Sequence, residues 1–199
     1  MPIEKPSPLS SLASNPADHD RAAPFRSIPW CRRLLDDKDY KVVTQDPRQP
    51  RYDGSTRGLI RHTLNNASTI EHFIALYKGP TAGSLHKYEL RVLLTLNGGL
   101  DGWVGVCHGG VTATILDEIM SMLAQYYAHS HGKFQQSELT ADLHVKFLRA
   151  VPTPSTMLVR AWMTSAEGRK MHVASEMKNA EGEVLATATS LFILSKGKL

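Results

Sequence analysis

The longest periodic segment of the chain extends from Val111 to Ala128. Apolar residues recur there on one stripe at the spacing of an α-helix, and the opposite face also carries small and apolar residues. The stripe consists of Val111, Ile115, Ile119, Met122 and Tyr126. Because only a narrow polar strip remains, we predict a buried central helix that is wrapped by a larger element.

Strand-like patterns flank this helix on both sides. Two segments precede the helix and four follow it, and they cover residues 69–78, 88–96, 140–148, 157–164, 171–177 and 184–194. Short turn sequences connect the last four segments, and such connections favour antiparallel neighbours. The order of the elements predicts an α+β fold in which an antiparallel sheet wraps around the helix.

The N-terminal part differs in composition from the rest of the chain. Residues 1–24 contain five prolines and several serines without an apolar period, which predicts a disordered tail. Residues 25–68 read as an extension, with a helix predicted from Ile28 to Asp37 and a long loop from Asp46 to Gly58. Residues 69–199 then form the α+β domain.

Composition limits the class of function. With 42% hydrophobic and 21% charged residues the chain is typical of globular proteins, and its two cysteines cannot form a disulfide framework. We expect no metal site and no membrane span, because no metal-ligand spacing and no apolar run of roughly 18 residues occur. The net charge of +4 is spread too evenly for a nucleic-acid binder and suits an anionic small substrate. We expect an intracellular protein, in first place a cytoplasmic one, with mitochondria and peroxisomes as open alternatives.

One motif carries candidate chemistry. His108, Gly109 and Gly110 directly precede the predicted helix, and Asp117 follows after six further residues. The glycines leave the first amide groups unblocked, and such N–H groups at the positive end of a helix can bind an oxyanion. Asp117 lies about two turns into the helix, where a carboxylate can activate water. The combination suits acyl transfer to water, although each residue alone also fits an ordinary turn, cap or ion pair.

This motif resembles a known family signature. The pattern His108-Gly109-Gly110-x6-Asp117 at the start of a buried helix is similar to that of the hotdog-fold acyl-CoA thioesterases, in the branch of the phenylacetate-pathway enzyme. The segment from Thr140 to Arg149 resembles the third strand of that branch, and the similarity covers about residues 69–194. The resemblance implies a hotdog fold, hydrolysis of an acyl-CoA or acyl-carrier thioester, and no cofactor apart from the coenzyme A of the substrate.

The resemblance also implies roles for matching residues. Gly109 donates its backbone N–H to the thioester carbonyl, with the Gly110 amide beside it. Asp117 of the other subunit of a dimer is the general base or nucleophile. Thr140 holds the attacking water, and His108 completes the catalytic candidates. The candidates for substrate binding are Gly110, Trp103, Lys146, Arg149, Arg169 and Lys170; the basic ones would meet the phosphates of coenzyme A, and the tryptophan would line the acyl pocket.

Assembly and one departure from the family pattern complete the expectations. A single sheet leaves uncovered edges, which favours a homodimer or a dimer of dimers. Many family members carry Asn or Gln six residues before the histidine, where this chain has Gly102. That change leaves three readings open: the helix amides alone bind the carbonyl, the loop is shifted, or the chemistry differs. The alternative function is therefore a hotdog protein that binds or tailors an acyl ligand without hydrolysis; a dehydratase is disfavoured, since the helix contains no histidine before His129.

Overall fold

A computed structural model describes residues 16–43, 58–79, 88–133 and 137–196. The N-terminal helices are α1 (Pro16–Arg26) and α2 (Pro29–Leu35), and the central helix is α3 (Gly109–Ser130). The strands are β1 (Lys41–Val42), β2 (Ile70–Lys78), β3 (Glu89–Leu96), β4 (Asp101–Trp103), β5 (Val106–Cys107), β6 (Glu138–Phe147), β7 (Ser155–Glu167), β8 (Lys170–Lys178) and β9 (Val184–Leu194). A π-helical turn (Leu59–Thr63) and a 3-10 turn (Gly98–Leu100) complete the described elements.

The central helix is buried, as the apolar periodicity predicts. Ile115, Leu116, Ile119 and Leu123 of α3 are almost fully removed from solvent. The helix packs against strands β3, β6, β7, β8 and β9, whose inward residues supply the other half of the core. The predicted α+β architecture of an antiparallel sheet around a central helix is therefore confirmed.

Seven strands form one antiparallel sheet in the order β1-β2-β3-β7-β8-β9-β6, and β4 and β5 form a separate small hairpin. The expectation that consecutive strands are neighbours is wrong for β6 and β7. Strand β6 pairs with β9, because the connection after β6 crosses to the hairpin, where Val106 bridges Pro152 and the Cys107 amide donates to the Val151 carbonyl. This crossing leaves β6 at the edge of the sheet.

The N-terminal extension covers the outer face of the sheet. Ala22 and Phe25 on α1 and Cys31 on α2 are buried against Ile74 of β2 and Leu93 of β3. The prediction of a disordered tail up to residue 24 is therefore wrong from Pro16 onward. Two apolar residues one turn apart are enough to dock α1 on the sheet, although they produce no recognisable period in the sequence.

Other parts of the extension agree with the sequence or lie outside the described residues. Helix α2 lies within the segment predicted from Ile28 to Asp37. The predicted loop from Asp46 to Gly58 lies outside the described part of the chain except for Gly58, as do residues 1–15. Among the residues that the structure describes, none of the helices combines the length and the apolar character needed to cross a membrane.

Candidate active site

The start of α3 is held by a hydrogen bond to the 3-10 turn that precedes the small hairpin. The His108 amide donates to the Leu100 carbonyl over 2.8 Å, and the Thr112 amide donates to the His108 carbonyl over 3.0 Å. His108 has the extended backbone of an N-cap residue, with φ −59° and ψ 132°. The chain therefore enters the helix at a fixed angle, and the first amides of α3 are presented at its exposed end.

The side chain of His108 caps the helix. Its Nδ1 atom accepts a hydrogen bond from the Gly110 amide over 2.9 Å, so a neutral ring carries its proton on Nε2. The Gly110 amide is thus already engaged, which corrects the expectation that it polarises a carbonyl together with Gly109. Among the described residues, none accepts a hydrogen bond from the Gly109 amide. That amide is therefore one of the donors at this helix end that remain for an oxyanion.

Asp117 and Thr140 meet at a second place, between α3 and β6. The Thr140 hydroxyl donates to Oδ1 of Asp117 over 3.0 Å. The aspartate is half-buried and the threonine is exposed, so water has access to the pair. A hydroxyl that donates to a carboxylate still has lone pairs that can accept a hydrogen bond from a water molecule.

These two places are separated within one copy of the chain. Gly109 and Asp117 lie eight residues apart on α3, which corresponds to about 12 Å along the helix axis. Gly109 instead lies beside the ring of Phe147, which is 3.6 Å from the position of an added Cβ. One copy therefore carries an oxyanion donor near Phe147 and a carboxylate near Thr140, and the two do not converge on a single carbonyl.

The predicted substrate-binding residues lie in different regions. Trp103, at the tip of the hairpin, is 79% exposed. Lys146 on β6 and Arg149 just after it are exposed, and Arg149 follows the strand end that approaches Gly109. Arg169 lies in the turn between β7 and β8, and Lys170 is the first residue of β8.

That turn lies at the other end of the central helix. Lys133, three residues after the end of α3, donates to the Gly168 carbonyl of the turn over 2.9 Å. The helix is 22 residues long, so its two ends are roughly 33 Å apart. Within one copy, Arg169 and Lys170 are therefore not brought together with Gly109, and Arg169 instead donates to the Leu194 carbonyl over 2.8 Å.

Two further residues near the helix start have structural roles. The Cys107 thiol is buried, and this burial raises its pKa, so the thiol stays protonated and is a poor nucleophile. The Asp101 carboxylate accepts hydrogen bonds from the Thr153 hydroxyl and from the Gly105 amide, which fixes the hairpin. The sequence motif does not reveal the roles of Asp101, Thr153 or Phe147, because their partners are distant in the chain or belong to an irregular turn.

The antiparallel sheet around a buried helix, with a free amide at the helix start and a carboxylate two turns further on, defines a hotdog-fold protein. The model of the thioesterase superfamily matches residues 104–186, a range that includes the helix start, Asp117 and Thr140. This match confirms the predicted resemblance to the thioesterases, and it supports the predicted class of enzyme, the thioester hydrolases.

Individual relatives agree with this resemblance. The chain is 27% identical to verlamelin biosynthesis protein B of Lecanicillium sp., over 85% of this chain and 86% of that protein. It is 33% identical to the acyl-coenzyme A thioesterase THEM4 of Rattus norvegicus, over 54% of this chain. The matching segment spans 45% of the rat protein, so the chain covers less than half of that relative's length.

Solved structures support the fold. A thioesterase protein of Streptococcus pneumoniae superposes with a TM-score of 0.52 at 14% identity, covering 66% of this chain and 95% of that one. Thioesterase superfamily member 2 of zebrafish superposes with a TM-score of 0.51 at 17% identity, covering 62% and 81%. Membership of the phenylacetate-pathway branch stays a prediction. No group of three or more His, Cys, Asp or Glu side chains suited to a metal ion occurs among the described residues.

Proposed function

We propose that the protein hydrolyses an acyl-CoA thioester at a site composed of two copies of the chain. One observation carries the proposal: the free Gly109 amide and the Asp117–Thr140 pair are about 12 Å apart along α3. In a two-fold dimer, the helix start of one copy can face the carboxylate of the other. Each dimer then contains two equivalent sites.

The reaction follows from the groups at such a site. The Gly109 amide donates to the thioester carbonyl and stabilises the oxyanion that develops there. Asp117 of the second copy takes a proton from a water molecule that Thr140 orients, and the water oxygen forms a bond to the carbonyl carbon. The C–S bond then breaks, and the thiolate takes the proton that Asp117 received. In the alternative course Asp117 attacks the carbonyl itself, and water cleaves the resulting anhydride.

The β6 edge is the surface on which we expect the second copy. Among the described strands β6 pairs only with β9, and its other edge is open. Leu139 and Phe147 of β6 and the following Leu148 are about half exposed, which is unusual for large apolar side chains on an edge strand. Antiparallel pairing of β6 with its own copy would continue the sheet and cover these side chains.

The same proposal leads to a definite register. The composite site forms when Phe147, next to Gly109, lies opposite Thr140 of the second copy. Strand β6 has one extra residue between Thr140 and Asp142, so this register centres on His144, which faces itself across the two-fold axis.

Side-chain chemistry in the centre of the strand agrees with this register. Lys146 lies opposite Asp142 of the second copy, which pairs opposite charges. Leu143 lies opposite Val145, which pairs two apolar residues whose side chains face the core. Symmetry repeats each pair, so four favourable pairs flank the axis.

A panel of acyl-CoA thioesters tests the activity, with free thiol as the product measured. We expect cleavage of at least one acyl-CoA by the wild-type protein. Binding of acyl-CoAs without release of thiol would contradict hydrolysis and favour the non-hydrolytic alternative.

Disulfide cross-linking tests the dimer independently of activity. In the expected register His144→Cys forms a covalent dimer under mild oxidation, since opposed residues of antiparallel strands have Cα atoms about 5 Å apart. Lys146→Cys is the matched control, because it is equally exposed on the same strand but does not meet its own copy. Both native cysteines are buried, so the introduced thiol is the accessible one. Equal cross-linking of both variants, or of neither, would contradict the register.

The compartment is also a proposal. Cys31 and Cys107 are free thiols, which agrees with the reducing interior of a cell. We therefore propose an intracellular site of action. The acyl group of the substrate is to be identified by the panel.

A further inference from the structure

Two glycines flank the ring of His108. A Cβ atom added to Gly102 would lie 2.9 Å from Cα, 3.0 Å from Cδ2 and 3.1 Å from Cβ of His108. A Cβ atom added to Gly110 would lie 3.0 Å from Cε1 and Nδ1 of the same ring. Both approaches are closer than ordinary van der Waals contact, so any side chain at either position requires His108 to move.

The two glycines contact different edges of the imidazole. Gly102 lies against the Cδ2 edge, and Gly110 lies against the Nδ1 and Cε1 edge, where its amide also donates to Nδ1. The Nε2 atom is the ring nitrogen that neither contact uses. Since Nδ1 accepts a hydrogen bond, Nε2 carries the proton of the neutral ring and is a donor on an exposed residue.

Close packing is the reason why position 102 requires glycine. Its backbone is not in the left-handed region, where glycine would be favoured for its conformational freedom. The nearest atom to the added Cβ is the Cα of His108, which belongs to the backbone and cannot rotate away. The side-chain amide that many family members carry at this position has no room here.

We propose that Gly102 is a positioning residue that acts through His108. By leaving space, it allows the imidazole to pack against the hairpin, to cap α3 through Nδ1 and to present its Nε2–H beside the free Gly109 amide as a second donor for the thioester carbonyl. The inference rests on the proposed hydrolysis, and it assigns to His108 the carbonyl contact that a side-chain amide at position 102 would otherwise make.

Gly102→Ala is the variant that tests this role, and Gly98→Ala is its matched control. Gly98 lies in the same connection, but an added Cβ there would meet only the Asp101 carboxylate, at the ordinary contact distance of 3.9 Å. The first measurement is the 15N NMR spectrum of the His108 imidazole at neutral pH, which distinguishes the Nε2–H from the Nδ1–H tautomer. The second is kcat and KM for an acyl-CoA that the wild-type protein cleaves.

We expect the wild-type protein and Gly98→Ala to show the Nε2–H tautomer with a hydrogen-bonded Nδ1. In Gly102→Ala this signature should be lost, and kcat should fall about 10-fold to 100-fold with little change in KM, because the lost contact acts on the developing oxyanion. An unchanged tautomer in Gly102→Ala, with or without a loss of turnover, would overturn the proposal.

The wild-type spectrum keeps the test decisive where Gly102→Ala fails to fold. An Nδ1–H tautomer in the wild-type protein would overturn the inference without any variant. If the wild-type protein cleaves no acyl-CoA, the proposed hydrolysis fails. The tautomer of Gly102→Ala then still decides whether Gly102 positions His108, because the spectrum does not depend on turnover.

Discussion

The outer face of the sheet and its β6 edge differ in how completely one chain covers them. On the outer face, Phe25 and Cys31 are fully buried by helices of the same chain. At the edge, Phe147 and Leu148 are about half exposed, and the strand pairs on one side only among the described elements. The outer face is thus covered by its own chain, whereas one copy leaves the β6 edge uncovered, where we propose the second copy.

Polar groups follow the same division. On the outer face, the buried Glu89 carboxylate accepts two hydrogen bonds from Arg160, over 2.7 and 2.9 Å, and a third from Arg91. Arg91 also pairs with Asp37, at the end of α2, over 3.0 Å, which ties the extension to the sheet. At the helix start, the Gly109 amide has no acceptor among the described residues. The comparison teaches that the charged groups of the outer face are paired within one chain, whereas the Gly109 amide is left open at the place where a substrate is expected.

The largest expected effect concerns Asp117. Asp117→Asn should lower kcat about 10²-fold to 10⁴-fold, because an amide nearly matches the carboxylate in size but cannot take a proton from water. The melting temperature and the dimer should change little. Turnover and thermal unfolding are to be measured on the same preparation. Near-wild-type turnover with an altered melting temperature would make Asp117 a structural residue.

On the outer face, Phe25→Ala should destabilise the fold by about 3 to 4 kcal/mol, because it leaves a cavity between α1 and the sheet. Turnover of the folded fraction should stay near the wild-type value. Urea unfolding provides the measurement, with Leu59→Ala as a control at an exposed apolar position, expected within about 0.5 kcal/mol of wild type. Equal unfolding curves for Phe25→Ala and wild type would show that α1 does not dock as described.

Glu89 should make stability depend on pH. Burial alone would raise the pKa of its carboxyl group, whereas hydrogen bonds from Arg160 and Tyr40 lower it. The positive charges of Arg160 and Arg91 act in the same direction, so the pKa is held below its ordinary value of 4.5. A carboxylate with a lowered pKa stabilises the fold fully above the unfolded-state pKa, and this contribution is lost as the pH falls through the folded-state pKa.

We therefore expect Glu89→Gln to cost about 2 kcal/mol at neutral pH, since Arg160 loses its closest ion pair, while its 3.6 Å pair with Glu176 and the solvation of part of the side chain limit the loss. The difference from wild type should shrink as the pH falls below about 4.5, because the wild-type carboxyl then becomes neutral. Unfolding free energies across this pH range check the sign. The exposed Glu181→Gln is the control, and a constant difference at every pH would contradict the account.

The smallest expected effect concerns Arg149, near the helix start. Arg149→Gln should raise KM for an acyl-CoA a few-fold without changing kcat, because an exposed charge contributes only about 1 kcal/mol to binding a phosphate. A thioester of pantetheine, which lacks the phosphates, should be cleaved equally by both proteins. Lys170→Gln is the control at the far end of α3. Equal KM values for wild type and Arg149→Gln would remove this residue from the substrate site.

The sequence predicts the parts of this molecule whose signals are local. The period from Val111 to Ala128 identifies the buried helix, and the spacing from His108 to Asp117 identifies the candidate site. The docking of α1 escapes such analysis, because Phe25 depends on Ile74 and Leu93, which lie about 50 or more residues away.

The strand order of the sheet and the hydrogen bonding of the Gly110 amide also depend on tertiary contacts. The β6 sequence does not indicate that this strand pairs with β9 and not with the next strand. The engagement of the Gly110 amide by His108 depends on the ring orientation, which is set by the approach of Gly102. Sequence spacing therefore finds which residues take part, and packing decides what each of them can do.

Subunit complementation tests the composite site most directly. Gly109→Pro removes the backbone N–H at the first position of α3, where proline is well tolerated, and the extended ψ of 132° at His108 suits a following proline. Gly109→Pro and Asp117→Asn should each be nearly inactive alone.

Mixed and exchanged, the two variants should form heterodimers in which one site combines an intact Gly109 with an intact Asp117. Random exchange of equal amounts then restores about one quarter of the wild-type turnover, because half of the dimers carry one of two sites. The variant that carries both substitutions on one chain is mixed with an equal amount of wild type in the same way. This mixture is the control for subunit exchange. Activity of the variant mixture that stays at the level of the single variants would contradict a site shared between two copies.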